Sequence, residues 1–291
     1  VGYNALSLEL LSRYAVADEE NLPSLSVIIP ARDEEDTIES ALRALLQTTY
    51  PRFEAIVVND RSSDATGEIV NRIAAEDSRL KALHIKNLPE GWLGKTHALH
   101  VASRAAQGEF LLFTDADIHF APSAFARALS YAEAGGLDHL AVMPEIRRSQ
   151  SVGAWERWQM SAAIAGFVTL FLFAMRPRAV RNPKSDAYIG VGAFNLVRRS
   201  PFERTQGFEW LKMEAIDDVG LGLMMKRSGA SCAAANGVGL VSLSWYPTLN
   251  SLARGFEKNF FAGFAEYRVS LLWARLAQVL ALAFAPLWGG F

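Results

Sequence analysis

The sequence is poor in the residues that bind metals through sulfur or form disulfides. It contains one cysteine, Cys232, and five scattered histidines. A single cysteine excludes a disulfide within the chain and argues against a cysteine-based zinc site. A reducing compartment that faces the cytosol fits this composition.

The chain also lacks an excess of either charge. Its 29 basic and 31 acidic residues give a formal net charge of −2, so no basic field favours nucleic acid as a partner. Hydrophobic residues make up 51% of the 291 residues and charged residues 21%. This composition is typical of a globular protein with a tendency to contact membranes.

Two nucleotide-binding motifs are absent. No G-x-G-x-x-G follows the first apolar run, which argues against a dinucleotide site. Gly94, Lys95 and Thr96 resemble the end of a P-loop, but Pro89 stands where the first glycine of that motif belongs. Lys95 still opens a predicted helix, where its ammonium group and the helix N–H groups would meet a phosphate.

Apolar runs alternate with amphipathic segments through the first part of the chain. The predicted strands cover residues 25–29, 53–60, 80–85 and 110–117. Strands of continuous apolar type with helices between them are typical of a parallel sheet covered on both faces. The predicted fold class is therefore α/β, with a mostly parallel, Rossmann-like sheet.

Acidic residues end or follow three of these strands. Asp33 and Glu34 follow the first, Asp60 ends the second, and Asp115 and Asp117 end the fourth. Parallel strands present their carboxyl ends at one edge, so we expect the three groups to converge on one cleft. The i, i+2 spacing of Asp115 and Asp117 would point both side chains the same way in a strand. Two neighbouring carboxylates repel each other unless one is protonated or a cation lies between them. Mg²⁺ or Mn²⁺ bound by these oxygens and by substrate phosphates fits that requirement.

A second acidic cluster precedes another predicted helix. It consists of Glu214, Asp217 and Asp218. A helix N-cap needs one such residue. The other acids are therefore available as a general base that removes a proton from an acceptor hydroxyl.

Both ends of the given sequence and one internal run have distinct apolar patterns. Residues 1–23 are predicted to be an amphipathic lead-in, and residues 263–291 a membrane-associated C-terminal segment. Residues 160–175 are nearly all apolar but fall short of the roughly 20 that span a bilayer. They are predicted to be a helix that lies in the membrane interface or lines an acceptor groove, with a buried core helix as the alternative. Arg254 and Lys258 would either neutralise a leaving diphosphate or snorkel to the membrane surface.

Four motifs, in this order, resemble the signatures of family 2 glycosyltransferases. They are P-A-R-D-E at 30–34, V-V-N-D-R-S-S-D at 57–64, T-D-A-D at 114–117 and D-D at 217–218. The resemblance covers residues 25–262. G-W-L-G-K at 91–95 and G-F-E-K-N at 255–259 are most similar to the hopene-associated and carotenoid-type membrane enzymes of that family.

The resemblance implies a GT-A fold over 24–262, with a nucleotide-sugar half at 24–120 and an acceptor half at 121–262. It also implies an inverting mechanism, a nucleotide-diphosphate sugar donor with UDP-sugars favoured, and Mg²⁺ or Mn²⁺. The nucleotide-sugar residues would be Pro30, Ala31, Glu34, Asp60, Lys95, Asp115 and Ala116. Asp115 and Asp117 would hold the metal and Asp218 would be the base. Further diphosphate or acceptor contacts would come from Asp217, Arg254 and Lys258.

The chain departs from the family pattern at several positions. Asp33 stands where Asn is common, Asn59 where Asp is common, and Asp217 where Glu is common. The Q-x-x-R-W motif of polymer-forming members is absent, and residues 254–259 take its place. The resemblance therefore favours the transfer of one sugar to a hydroxyl or carboxyl of a lipid acceptor. The expected location is a membrane surface, with the catalytic domain facing the cytoplasm.

Three other interpretations use the same residues. An aspartyl-phosphate-type phosphatase also ends a strand in D-x-D, but normally the first strand and not the fourth. A sugar nucleotidyltransferase would have a glycine-rich basic loop after the first strand, where this sequence has an acidic loop. A membrane-bound scaffold could keep the fold without the chemistry, although Asp60, Asp117 and Asp218 are all present.

Overall fold

The computed structural model describes residues 8–16, 21–147, 153–244, 246, 248–252 and 255. The chain divides into two compact units, the first formed by 1–147 with 164–244 and the second by 148–163 with 245–291. Arg254, Lys258 and the predicted C-terminal segment 263–291 lie outside the described residues.

Ten strands and seven α-helices make up the described residues. The strands are β1 (Leu25–Ala31), β2 (Phe53–Asp60), β3 (Leu80–Ile85), β4 (Phe110–Phe113), β5 (His119–Phe120), β6 (His139–Met143), β7 (Glu145–Ile146), β8 (Asn195–Arg198), β9 (Cys232–Asn236) and β10 (Val241–Leu243). The helices are α1 (Ile38–Leu46), α2 (Thr66–Glu76), α3 (Gly94–Ala105), α4 (Ala124–Ala134), α5 (Ala154–Met175), α6 (Arg199–Glu203) and α7 (Asp217–Arg227).

A seven-stranded sheet forms the centre of the first unit, in the order β3-β2-β1-β4-β8-β6-β9. The pairs among β3, β2, β1 and β4 are parallel, as is β6 with β9, whereas β8 runs antiparallel to both of its neighbours. A second sheet has the order β5-β10-β7. The mostly parallel α/β fold expected from the sequence is confirmed.

Burial explains why the apolar runs form the central strands. Every residue of β4 is buried, and so is every residue of β1 except Pro30. Helix α1 covers the sheet with Ile38, Leu42 and Leu45, each at most 1% exposed. Fully burying one such aliphatic side chain contributes roughly 1.5–3 kcal/mol, so these positions hold α1 in the fold.

Two predicted local features differ in the structure. In the described part of the lead-in, Leu10 forms a β-bridge with Asn236, and only Leu11–Arg13 form a short 3₁₀-helix. Strand β4 ends at Phe113, so Asp115 and Asp117 lie in the loop after it. The strand alternation expected to align these two side chains therefore does not apply.

The apolar run 160–175 belongs to a longer helix, α5, because the polar residues before it continue the helix back to Ala154. Among the described residues, this is the one helix long and apolar enough to cross a membrane, and 11% of its most apolar window is buried. This low burial argues against the buried-core alternative.

Candidate functional site

An ion pair links the two acidic clusters. Lys95 Nζ lies 2.8 Å from Asp115 Oδ1 and 3.1 Å from Asp217 Oδ1. Although burial opposes the shift, the charges of Asp115, Asp217 and Asp218 raise the pKa of Lys95 well above its usual value. The Lys95 side chain is still 41% exposed, so the bridge faces the cleft. Its carboxylate partners were not foreseen from the sequence, which assigned Lys95 to a phosphate alone.

The main chain holds Lys95 in this place. Helix α3 begins at Gly94, and the preceding Leu93 N–H donates to the Lys212 carbonyl at 2.8 Å. The Thr96 hydroxyl donates to the same carbonyl at 2.8 Å. The Lys212 ammonium group lies 5.2 Å from the centre of the Trp92 ring, within the range of a cation–π contact. The start of α3 is thereby fastened to the segment that leads into Asp217.

Asp117, the second acid of the T-D-A-D motif, lies in an environment that favours its protonated form. Burial raises its pKa to about 6, and the charges of Asp115 and Glu34 add to the shift. Asp115 is fixed through its backbone, because its N–H donates to the Gly192 carbonyl at 3.0 Å. The Thr114 hydroxyl donates to the Ala193 carbonyl at 2.8 Å.

Asp217 and Asp218 open helix α7, as the second acidic cluster predicted. Burial raises the pKa of both, for Asp218 to about 6, and Asp217 adds to the shift of Asp218. The Asp218 carboxylate accepts the Val219 N–H at 2.9 Å. A carboxyl group that titrates near neutral pH is suited to general-base chemistry.

Two glycines leave space for these acids. A Cβ on Gly192 would lie 2.6 Å from Asp115 Oδ2 and 3.4 Å from Asp218 Oδ2. A Cβ on Gly190 would lie 1.7 Å from the Asp218 carbonyl oxygen. Any side chain at either position would displace an acid. The sequence signal for this close approach is G-V-G at 190–192, which lies outside the predicted site residues.

The expected nucleoside end of the cleft holds a second ion pair. Asp60 is 3% exposed and accepts two bonds from Arg61, at 2.7 and 3.1 Å. Arg61 has a positive φ of 56°, a backbone conformation uncommon outside glycine. A Cβ on Gly94 would lie 2.2 Å from Asp60 Oδ2. The start of α3 therefore lies against Asp60, with Lys95 next in the chain.

The first acidic group divides between two roles. Asp33 accepts the Ser63 N–H at 2.7 Å, so its carboxylate holds the loop after β2 and does not join the other acids. Burial raises the pKa of Glu34, the Thr37 hydroxyl opposes the shift, and Asp115 adds to it. Glu34 therefore joins the acidic group and Asp33 does not. Pro30 and Ala31 end β1 next to them.

Asp64, the last residue of the second family motif, lies two residues before helix α2. Helix α2 begins at Thr66 and Ala65 occupies the cap position. Asp64 instead accepts the N–H groups of Thr66 and Glu35, at 3.0 and 3.1 Å. It ties the loops after β1 and β2 together.

The acids fit a metal that is shared with phosphate. No group of three or more His, Cys, Asp or Glu side chains within the described ranges is placed to hold a metal by itself. Mg²⁺ is commonly held by one or two carboxylates together with substrate phosphates. The oxygen donors of Asp115 and Asp117, and the raised pKa of Asp117, suit that arrangement.

The fold is the α/β fold of the GT-A class. A mannosyltransferase, PcManGT from Pyrobaculum calidifontis, solved with GDP-Man and Mn²⁺, matches with a TM-score of 0.60 at 20% identity, over 95% of this chain and 82% of that one. TarS from S. aureus, solved with UDP-GlcNAc, matches with a TM-score of 0.52 at 17% identity, over 76% of this chain and 58% of that one. The family described as glycosyl transferase family 2 matches residues 26–205, and the chain belongs to this family.

Two relatives illustrate the similarity in sequence. A 4,4'-diaponeurosporenoate glycosyltransferase from Staphylococcus haemolyticus is 24% identical over 257 residues, 87% of this chain and 65% of that protein. A probable glycosyltransferase from Bacillus subtilis, YdaM, is 40% identical over 100 residues, which are 34% of this chain and 24% of that protein. The chain thus spans less than two thirds of either relative. The expected family, with its similarity to carotenoid-type enzymes, is confirmed and displaces the phosphatase interpretation.

Proposed function

We propose that this protein transfers one sugar from a nucleotide-diphosphate sugar, a UDP-sugar above others, to a lipid acceptor with inversion at the anomeric carbon. The observation that carries the proposal is the bridge from Lys95 to Asp115 and Asp217, with Asp218 adjoining it. It brings Lys95, the proposed cation for the diphosphate, next to Asp115, a proposed metal ligand, and near Asp218, the proposed base. GDP-Man and UDP-GlcNAc in the two solved neighbours support a nucleotide-sugar donor.

The donor would lie along the loops after β1, β2 and β4. Pro30, Ala31 and Ala116 would line the nucleoside, while Glu34 and Asp60 would accept hydrogen bonds from its base or ribose. Because Arg61 already holds Asp60 at 2.7 Å, the nucleoside would share or replace that contact. Lys95 would face the diphosphate from the start of α3. Arg254 and Lys258 remain proposed diphosphate or acceptor contacts.

Asp115 and Asp117 would hold Mg²⁺ or Mn²⁺ against the diphosphate. The metal, when bound, would neutralise negative charge on the leaving group. Asp115 also pairs with Lys95 at 2.8 Å, so a cation held at Asp115 and the Lys95 ammonium group would both compensate negative charge on the diphosphate. The Mn²⁺ in the mannosyltransferase structure supports the use of a divalent cation.

Asp218 would act on the acceptor. It takes the proton from an acceptor hydroxyl as that oxygen bonds to the anomeric carbon, while the bond from that carbon to the diphosphate oxygen breaks. The nucleoside diphosphate leaves with the electron pair. A carboxylate acceptor carries no proton and would need no base. The name of the diaponeurosporenoate relative specifies a carboxylate, so both acceptor types are part of the proposal.

Helix α5 would place the protein on a membrane surface without crossing the bilayer. Arg147 N–H donates to the Leu243 carbonyl, and Lys226 Nζ donates to the Val180 carbonyl at 2.7 Å, so both chain flanks of α5 are fastened within the first unit. The linker from Arg147 to Ala154 reaches about 25 Å at most. That is less than the roughly 30 Å of a bilayer core, so the start of α5 would stay on the same side as its end. The proposed side is the cytoplasmic one.

A panel of nucleotide sugars tests the proposal. Purified protein is incubated with each donor, with Mg²⁺ or Mn²⁺, and with or without lipid extract, and release of nucleoside diphosphate is measured. We expect release from at least one donor, dependent on metal and increased by lipid. Absence of release from every donor would contradict the proposed reaction.

A further inference from the structure

A buried chain of hydrogen bonds connects the middle of the sheet to Asp218. His139 in β6 and Asn195 in β8 are each 1% exposed. His139 Nε2 lies 2.6 Å from Asn195 Oδ1. Asn195 Nδ2 donates to the Asp218 carbonyl oxygen at 3.0 Å. No sequence motif marks this series of hydrogen bonds, because it joins three segments that are distant in the sequence.

The partners fix the direction of every bond in the chain. A carbonyl oxygen only accepts, so the Asn195 amide presents its NH₂ group to Asp218 and its oxygen to His139. His139 must then donate from Nε2, which places its proton on that nitrogen. Burial lowers the pKa of His139 to about 4 and keeps the ring neutral. Within the described residues, Nδ1 of this ring has no hydrogen-bond partner.

The main chain at Gly190 also lies close to the Asp218 carbonyl, since a Cβ at Gly190 would be 1.7 Å from that oxygen. Asn195 and Gly190 therefore both contact the same peptide group and restrict its movement. Rotation of this peptide would carry the Asp218 carboxylate out of place.

We propose that Asn195 and His139 are positioning residues, which fix the Asp218 main chain so that its carboxylate faces the acceptor. This inference rests on the proposed role of Asp218 as the base. His139 fixes the orientation of the Asn195 amide, and Asn195 fixes the Asp218 peptide. Since β6 and β8 are paired strands, the rigidity of the sheet is passed to a residue at the start of α7. A displacement of about 1 Å in a reacting group costs up to about 10²-fold in rate.

Charge-neutral variants of His139 test the role of the hydrogen bonds from His139 through Asn195 to Asp218. His139→Leu removes the donor to Asn195, whereas His139→Gln keeps an N–H donor in a similar place. We expect H139L to lower kcat for transfer to a hydroxyl acceptor by about 10- to 100-fold with the donor KM unchanged. H139Q should recover most of that loss. Asn195→Asp, which keeps the shape but loses the NH₂ donor, should lower kcat at least as much as H139L.

Val197→Ala is the matched control. Val197 lies opposite His139 in the strand register and is fully buried, so its truncation loosens the same strand pair without touching the hydrogen bonds. We expect V197A to lower the melting temperature and keep kcat. A kcat loss in V197A equal to that in N195D would overturn the proposal, as would normal kcat in H139L and N195D.

Crystal structures of the wild-type and N195D proteins give a readout that does not depend on activity. We expect the Asp218 carbonyl to be displaced in N195D. An unmoved carbonyl would overturn the positioning role. If wild-type protein transfers no sugar while the carbonyl moves in N195D, the proposed reaction fails and the positioning of Asp218 stands.

Discussion

Lys95 Nζ lies 2.8 Å from Asp115 Oδ1, and this contact joins the loop after β4 to the start of α3. The second contact of Lys95, to Asp217 at 3.1 Å, adds the start of α7. One cation therefore compensates acids from both halves of the proposed site. Donor binding and acceptor activation would meet at this residue.

Replacing Lys95 should impair both functions. In Lys95→Met the carboxylates of Asp115 and Asp217 lose their shared cation, and the diphosphate loses a positive partner. We expect kcat/KM for the donor to fall by about 10²-fold, which corresponds to about 2.7 kcal/mol. The measurement is nucleoside diphosphate release at varied donor concentration. Lys81→Met is the control and should keep wild-type values. It removes the ion pair between Lys81 in β3 and Glu54 in β2.

The two glycines beside the acids should respond differently to alanine. In Gly190→Ala the new Cβ meets main-chain atoms of Asp218 and Val219, which have little freedom to move, so we expect a large fall in melting temperature. In Gly192→Ala it meets the end of the Asp115 side chain. We expect a smaller change in stability with loss of most transfer activity. Thermal unfolding and transfer assays on both variants check this.

Gly166→Ala is the control for the glycine variants. Gly166 lies within α5, and nothing lies within 4 Å of a Cβ built on it. Alanine favours a helix over glycine by roughly 0.5–1 kcal/mol. We expect unchanged or slightly increased stability. A G192A protein as active as wild type would show that the acids do not need the space beside Gly192.

His139 predicts how stability depends on pH. Its pKa is about 4 in the folded protein against 6.5 for a free histidine, so the unfolded chain binds more protons between these values. The stabilisation is complete above about pH 6.5 and declines as the pH falls toward 4, by about 2 kcal/mol at pH 5. Urea unfolding of wild-type and H139Q proteins at pH 7.5 and pH 5 isolates this contribution. Equal losses in the two proteins would contradict it.

Aromatic residues at the start of α5 should anchor the protein to lipid. Trp155 and Trp158 are 69% and 62% exposed, and their rings stack with centres 5.1 Å apart. Replacing both with serine should weaken binding to vesicles of phosphatidylglycerol and phosphatidylcholine by about tenfold or more, since each buried aromatic contributes roughly 1.5–3 kcal/mol. Trp210→Ser, at an exposed site outside this helix, is the control. Equal binding by all three proteins in a co-sedimentation assay would contradict the anchoring role.

The sequence predicted what depends on local pattern. The apolar runs located β1 to β4, and the acids that follow them located the cleft, because parallel strands share a carboxyl edge. Contacts between distant segments were not predictable: Lys95 meets Asp217 only because the Lys212 carbonyl holds the start of α3. The loop position of Asp115 was missed because the strand ends two residues earlier.

The length of α5 was missed for a different reason. Its first turns carry Glu156, Arg157 and Gln159, so an apolar run alone marked only the later part. The chain from His139 through Asn195 to Asp218 joins two strands and a helix. Side chains brought together by tertiary structure leave no periodicity in one sequence.

The most direct test of the proposed reaction compares wild-type protein with Asp218→Asn. Both proteins are given the active donor, metal and a hydroxyl-bearing lipid acceptor, and glycosylated product is measured alongside donor binding. We expect D218N to bind donor and metal normally and to lose about 10²- to 10⁴-fold in the rate of transfer. Transfer by D218N at the wild-type rate would contradict the assignment of Asp218 as the base.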